Sequence, residues 1–435
     1  MWSANVATGN ELSISSITAT ELAQKFGTPA FIMDEADFRA RATRWNTALK
    51  EAFGVDAGTV YYAAKAFICV ETARWIKDVG IGIDVCTGGE LAVALAGGID
   101  PAKIELHGNN KSVVEIDKAI SVGVGIIVID SLFEIDRVAA SAIKNGTVQK
   151  VLLRLTPGVE AHTHEFIATA HEDVKFGFSI ASGAAWKAIE VVRTHASIEL
   201  RGFHAHIGSQ ILDTDSFEIS AQRLIALLAQ YRDAFGAQLP ELDLGGGYGI
   251  AYVPGDEELA PEVVMNALAS AVRENCISRK LDVPRISIEP GRAIVGPTMF
   301  TLYEVGTIKD VELESGKSRR YISIDGGMSE NIRPALYEAQ YTAILANRAS
   351  NAPKISTRLV GKHCETGDIV IRDIDIESDI APGDLLATPV TGAYGRSMAS
   401  NYNHVPRPPV IAVMHGKARV ILRRETEEDL LGLDI

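Results

Sequence analysis

The sequence predicts an α/β protein: a (β/α)8 TIM-like barrel followed by a C-terminal β-sandwich or β-barrel domain that the N-terminal segment joins. Three observations predict it. Eight short, β-branched runs alternate with helix-period segments over about 260 residues, the size and rhythm of such a barrel. The first four runs begin at residues 59, 82, 104 and 126, a steady spacing that later insertions lengthen. After Pro297 helical patterning almost vanishes, apart from a stretch near 335–349, and strand-like runs separated by Gly, Pro and charge take over. An open doubly wound sheet is the alternative, because strand order is not written in a sequence.

Taken in order, residues 1–35 fall outside the alternation and are expected to pack on the C-terminal β domain. Residues 36–296 form the expected barrel and 297–435 the β domain. The barrel strands read as 59–66, 82–87, 104–108, 126–131, 150–155, 199–207, 241–247 and 285–291, each closed by Gly, Ser, Thr or a charge. Helices read over 70–80, 111–123 and 261–275. In the last, Val263, Val264, Ala267, Leu268, Ala271 and Val272 fall on one face.

Composition narrows the function. The 435 residues are 47% hydrophobic and 23% charged, and 42 Lys+Arg against 56 Asp+Glu give a net charge of −14. So acidic a chain builds no large basic face, so neither a nucleic-acid nor a membrane partner is expected. Four scattered cysteines make neither a disulfide scaffold nor a Cys-rich zinc site. The opening MWSANVATGNELS has no signal-peptide pattern, and no apolar run reaches membrane-spanning length, so a cytoplasmic location is expected.

Barrel enzymes place their chemistry at the C-terminal ends of the strands. Here those ends carry Lys65, His206, the run Gly245-Gly246-Gly247-Tyr248-Gly249, and Glu289-Pro290-Gly291-Arg292. A lysine closing an apolar strand either snorkels to water or serves as an amine nucleophile; the company of the other three ends favours the nucleophile. The glycine run is either a tight turn or a phosphate cradle of unhindered N–H groups. His204 and His206 flank Ala205 on one strand and so share a face. Neither they nor His162 and His164 have a third ligand at metal-like spacing, so no metal is expected. His206 with Ser209 suits a cofactor pocket better. A Schiff-base lysine, a phosphate cup and a carboxylate for a pyridine nitrogen are together what pyridoxal 5′-phosphate requires.

Ten segments then carry a resemblance over nearly the whole chain: YYAAKAF, DVCTGGEL, HGNNKS, FHAHIGSQ, DLGGGYG, EPGR, DGGM, RPALY, GKHCETGD and TGAY, in that order. The chain resembles the diaminopimelate decarboxylases, in the fold-type III, alanine-racemase-like group of pyridoxal-phosphate enzymes that also holds ornithine and arginine decarboxylases. The resemblance implies that meso-2,6-diaminopimelate loses CO2 to give L-lysine, the last step of lysine biosynthesis. Lys65 matches the Schiff-base lysine and His206 the imidazole on the cofactor ring. Ser209, Gly246, Gly247, Gly291, Arg292 and Tyr394 match cofactor contacts, and Glu289 matches the partner of the pyridine nitrogen. Cys364 matches the proton donor, supplied in this family by the second subunit of a homodimer. Arg292, Arg333, Tyr337, Glu365 and Tyr394 match the substrate pocket, where guanidinium forks meet the distal carboxylate and Glu365 the distal ammonium.

A related basic amino-acid decarboxylase, acting on ornithine, arginine or carboxynorspermidine, is the alternative. A second buried Arg would have no counter-ion with a plain diamine end. A binding-only relative would be expected to lack Lys65 or Cys364, and both are present. Two positions depart from many relatives: Phe67 stands where they carry Asn, and GKHCET stands for GPLCES. They read as branch variation and leave the contribution of His363 open. Asp84 either joins a network behind the site or caps a turn, and 156–178 is long and polar enough to be a lid.

Overall fold

The computed structural model describes residues 2–159, 175–314, 316 and 318–435. His162, His164 and most of the candidate lid 156–178 lie outside the described residues. The chain forms two compact units: Arg41–Gly249 with Glu257–Ala293, and Met1–Ala40 with Ile250–Asp256 and Ile294–Ile435.

The first unit is built on eight parallel strands: β1 (Gly58–Ala63), β2 (Gly82–Val85), β3 (Ile104–Leu106), β4 (Ile126–Ile129), β5 (Gln149–Thr156), β6 (Ile198–His204), β7 (Glu241–Asp243) and β8 (Arg285–Ile288). Each pairs with the next, and β8 pairs back to β1, so the sheet closes into the barrel and the open alternative is excluded. Helices follow most strands and start and stop on readable signals. Ser112 and Glu115 form a capping box before Val113–Val122, and Gly80 and Gly123 end their helices in the left-handed region.

Most strands are shorter than the sequence suggested. β1 ends at Ala63, so Lys65 stands on a one-turn 3-10 helix, Ala64–Ala66, directly beyond the strand. β6 ends at His204, so His206 lies outside the ladder, and the expectation that both histidines share one strand face is corrected. The physical reason is that the strand ends bend into loops that must turn over the barrel mouth. Apolar alternation continues past that point and carries no mark of it.

Residues opposite each other in a ladder point to the same face of the sheet. Asp84 pairs with Glu105, and Glu105 with Ile126. His204 pairs with both Arg154 and Asp243. Ile83, Val85, Leu106, Leu153 and Phe203 alternate with these and are buried. The strands therefore carry a layer of Asp84, Glu105, Arg154, His204 and Asp243 on one face, all at most 9% exposed, beside a small apolar cluster of Ile126, Val128 and Leu152.

The second unit is mostly sheet. β9 (Met299–Glu312), β10 (Ser318–Ile324), β11 (Lys354–Val360), β12 (Ile369–Glu377), β13 (Leu385–Pro389), β14 (Val410–Met414) and β15 (Lys417–Leu422) make its framework. The N-terminal strand Ala30–Asp34 joins it, antiparallel to β9 and parallel to β14, so the amino-terminal segment is part of the β unit. Leu12, Ile14, Leu22, Ile32, Phe300, Leu302 and Ile411 form its core. The helical stretch expected near 335–349 is a single short helix, Arg333–Tyr337, which Pro334 starts and Glu338, at positive φ, ends. β11 has no counterpart in the sequence reading because KISTRLV alternates polar and apolar on a half-exposed face.

Strand packing in the barrel leaves no space at Gly202, where an added Cβ would lie 1.7 Å from the Glu241 carbonyl oxygen of β7. Gly202→Ala is expected to lower stability by about 3 kcal/mol or more, read as a shifted urea midpoint. An unchanged midpoint would contradict the tight β6–β7 contact.

Candidate active site

At the mouth of the barrel the structure brings together Lys65, His206, Ser209, Gly246, Gly247, Glu289, Gly291 and Arg292, all in the first unit. Lys65 is half-buried, and its ammonium acts electrostatically on Asp84, Cys86, His206 and Glu289. Gly291 is required beneath it: a Cβ there would lie 2.8 Å from the Ala63 side chain at the end of β1.

The glycine loop after β7 interleaves with its neighbours. A Cβ on Gly245 would meet the Ala205 carbonyl at 2.3 Å, and one on Gly246 the Glu289 carbonyl at 2.2 Å. Gly247, at φ +110°, leaves 2.3 Å to the Gly208 carbonyl. Close approach and positive φ at Gly245 and Gly247 thus account for the run, whatever it binds. The Gly246 N–H donates to His206 Nδ1 at 3.2 Å, which assigns the imidazole proton to Nε2. Burial, reinforced by the Lys65 charge, pushes His206 well below the usual histidine range and keeps it neutral. Arg292 Nη2 donates to Ser209 Oγ at 2.8 Å, linking the ends of β6 and β8.

Glu289 is 3% exposed. Burial alone would raise its pKa, but His107, His204 and Lys65 outweigh it and hold Glu289 well below the carboxylate range. The other interior carboxyls behave oppositely. Burial, with Glu289 as the main like charge, pushes Asp84 well up. Glu105 rises through burial, then Asp243 and Glu289; Asp243 rises through burial and Glu289, although it accepts the Gly245 N–H at 2.7 Å. One anion thus stands among neutral acids. Asp84 belongs to this network and does not cap a turn. Sequence reasoning missed Glu105, His107, Arg154 and Asp243. Their signal was a charged or imidazole group within or just after a short apolar strand, as in IELHG, KVLLRL and ELDLGGG. His107, His204 and Glu289 also converge as a set that could ligate a metal, which the spacing did not foretell because each comes from a different strand end.

The β unit carries Arg333, Tyr337, Cys364, Glu365 and Tyr394. Arg333 is 6% exposed. Its guanidinium lies 4.5 Å from the Tyr252 ring centroid and 5.5 Å from that of Tyr341, whose hydroxyl it also contacts. Among the described residues no carboxylate lies within ion-pair distance of it. Tyr252 and Tyr341 were missed because neither sits in a recognisable motif. Tyr337 is half-buried at the end of the Arg333–Tyr337 helix. Tyr394 takes φ +59° four residues after Val390 at +62°, left-handed values costly for both side chains.

Cys364 is the exposed cysteine among the four, and burial pushes the Cys86 thiol up to about 12. Its loop is fixed from behind. Asp368 accepts the Met328 N–H at 2.7 Å and the His363 N–H at 2.8 Å, and His363 Nε2 accepts the Ser329 N–H at 3.3 Å. His363 is therefore a buried brace between GKHCETGD and DGGM, while Glu365 is exposed. Phe67 is buried too, and its carbonyl accepts the Tyr62 hydroxyl at 2.6 Å.

The barrel with a lysine at one strand end, a buried anion at another and a glycine loop between defines the class: a pyridoxal-phosphate-dependent decarboxylase of fold type III. The residues fit that cofactor. The glycine loop has no room for side chains, and Glu289 remains anionic where its neighbours are neutral. The family model for the pyridoxal-dependent decarboxylase, pyridoxal binding domain, matches residues 35–296. A diaminopimelate decarboxylase of Mycobacterium tuberculosis (strain ATCC 25618 / H37Rv) is 54% identical over 426 residues, covering 97% of this chain and 94% of the relative. That of Bacillus subtilis (strain 168) is 44% identical over 427 residues, covering 98% and 95%. The crystal structure of diaminopimelate decarboxylase from M. jannaschii in co-complex with L-lysine superposes with a TM-score of 0.92 at 31% identity, covering 100% and 99%. The chain belongs to the diaminopimelate decarboxylase family, and it is a carboxy-lyase.

Glu330, fully buried in the β unit, accepts the Gly327 N–H at 2.5 Å and the Ser329 hydroxyl at 3.1 Å. Burial nevertheless pushes it up to about 7. A carboxyl raised above its unfolded value of 4.5 penalises the folded state as pH rises from that value through 7. Stability is expected to fall by about 3 kcal/mol across this window, and Glu330→Gln to remove most of the slope. Urea unfolding at pH 5 and 8 tests this; equal pH slopes for the two proteins would contradict it.

Proposed function

We propose that this chain decarboxylates meso-2,6-diaminopimelate to L-lysine and CO2, the final step of lysine biosynthesis. The observation that carries the reading is Arg333, a buried guanidinium flanked by two tyrosine rings with no carboxylate partner among the described residues. Such a group is costly unless an anion completes it. The distal carboxylate of diaminopimelate supplies that anion, whereas ornithine and other plain diamine ends do not.

Pyridoxal phosphate, when bound, supplies an electron sink for the pair left behind by departing CO2. The chain's residues do the rest. Lys65 would hold the cofactor through its side-chain amine. Glu289, held as an anion, would be the partner of the cofactor's ring nitrogen, and neutral His206 would help hold the ring. Gly246, Gly247, Gly291, Ser209 and Arg292 would hold the cofactor, and Tyr394 is assigned to it by the family resemblance. By the family resemblance, Tyr337, Arg292 and Tyr394 are assigned with Arg333 to the substrate, and Glu365 to its distal ammonium. Cys364 delivers the proton that replaces CO2. Its exposure within one chain supports its acting across a homodimer, in the partner's site, where it would be covered. Residues 36–296 thus serve as the cofactor domain, and 297–435, with the N-terminal segment, carry the substrate and proton-donor groups.

Arg333→Ala is expected to lower kcat/KM for meso-diaminopimelate by about 30-fold or more, the cost of breaking a buried charge pair. An assay of CO2 and L-lysine release from meso-diaminopimelate, ornithine, arginine and lysine checks both points. Release from ornithine or arginine at comparable rates, or an indifferent Arg333→Ala, would overturn the substrate assignment.

A further inference from the structure

Glu289 meets more imidazole than its role as a cofactor partner requires. His107 follows β3, and His204 closes β6. Their Nε2 atoms lie 3.2 and 2.9 Å from the same oxygen, Glu289 Oε1. The two rings meet edge to face at 4.9 Å between centroids. All three residues are buried, and the approach is one of distance, since neither the nitrogens nor the oxygen make a hydrogen bond of regular angle among the described residues. The nearest competing acid is Glu105, whose Oε2 lies 3.5 Å from His107 Nε2.

We propose that His107 and His204 are positioning residues, two neutral imidazoles that turn their Nε2–H groups to Glu289 Oε1 and hold that carboxylate as an oriented anion toward the cofactor's ring nitrogen. The inference rests on the assignment of Glu289 made above. Asp84 and Glu105 provide the internal comparison. Asp84 has neither imidazole within ion-pair distance and Glu105 has only His107, at 3.5 Å; both are equally buried and pushed well up, whereas Glu289, with the two rings at 3.2 and 2.9 Å, goes well down. The imidazoles themselves are kept neutral, first by burial and then by the Lys65 and Arg154 charges, despite the pull of Glu289. The same two cations weigh against a divalent metal among these three groups, since it would add further positive charge to one small, desolvated volume. An oxygen held from two sides has a fixed plane, which an acid facing a ring nitrogen needs.

Two measurements test this. In the cofactor-free full-length protein with 15N-labelled histidine, NMR should show both imidazoles neutral at pH 7 with the proton on Nε2. The His107→Leu and His204→Leu variants identify the two signals, and Glu289→Gln should shift both. Protons on Nδ1, or signals indifferent to Glu289→Gln, would overturn the proposal.

In the loaded enzyme, His107→Leu or His204→Leu should lower kcat about 10- to 100-fold, the scale for removing a group that orients an active-site residue. His204→Gln, which keeps an amide donor, should recover part of the loss. Within a Glu289→Gln background the same histidine changes should cost little more, because they act through one carboxylate. A full additional penalty there would contradict action through Glu289. Wild-type kcat for Glu289→Gln alone would instead overturn the ring-nitrogen assignment, and the NMR result would still decide the histidine contact.

Discussion

Holding one negative charge inside a barrel is the constraint from which the rest of this site follows. An isolated buried carboxylate takes up a proton. Glu289 escapes that outcome because His107 and His204 converge on one of its oxygens and Lys65 adds positive potential. Ladder register sets Asp84, Glu105, Arg154, His204 and Asp243 on one face of the sheet, and His107 and Lys65 join them from just beyond their strands. Each of the other carboxyls is neutralised by its own burial, so the polar layer carries far less charge than its composition suggests.

The β unit solves the converse problem with a cation. Arg333 is buried against two tyrosine rings, which offer their π faces but no full negative charge. Nearby motifs serve geometry as much as chemistry. Asp368 ties the Cys364 loop to the DGGM turn. Gly327 and Gly361 are required there because a Cβ on either would strike the Asp368 carboxylate, at 2.6 and 2.2 Å. The strained Tyr394 backbone fits a residue whose position matters more than its local comfort.

Much of this was legible from residue order. Strand rhythm gave the barrel, the loss of helical period gave the β unit, and strand ends pointed to Lys65, His206, the glycine run and Glu289. What escaped depends on pairing between distant strands. His204 looked like a structural neighbour of His206, yet the end of β6 turns one toward Glu289 and leaves the other to accept the Gly246 N–H. Glu105, Asp243 and Arg154 were visible as charges in apolar strands, but their meaning required the register. Tyr252 and Tyr341 reach Arg333 from segments 81 and 8 residues away, without a pattern that links them.

A cofactor bound between Lys65 and Glu289 would be open to covalent tagging at the lysine end. Borohydride reduction of the loaded enzyme, followed by peptide mapping, reads this directly. The pyridoxyl group is predicted on Lys65 alone. Its recovery on another lysine would contradict the account, above all on Lys111, which is buried beside Glu134 and committed to backbone carbonyls.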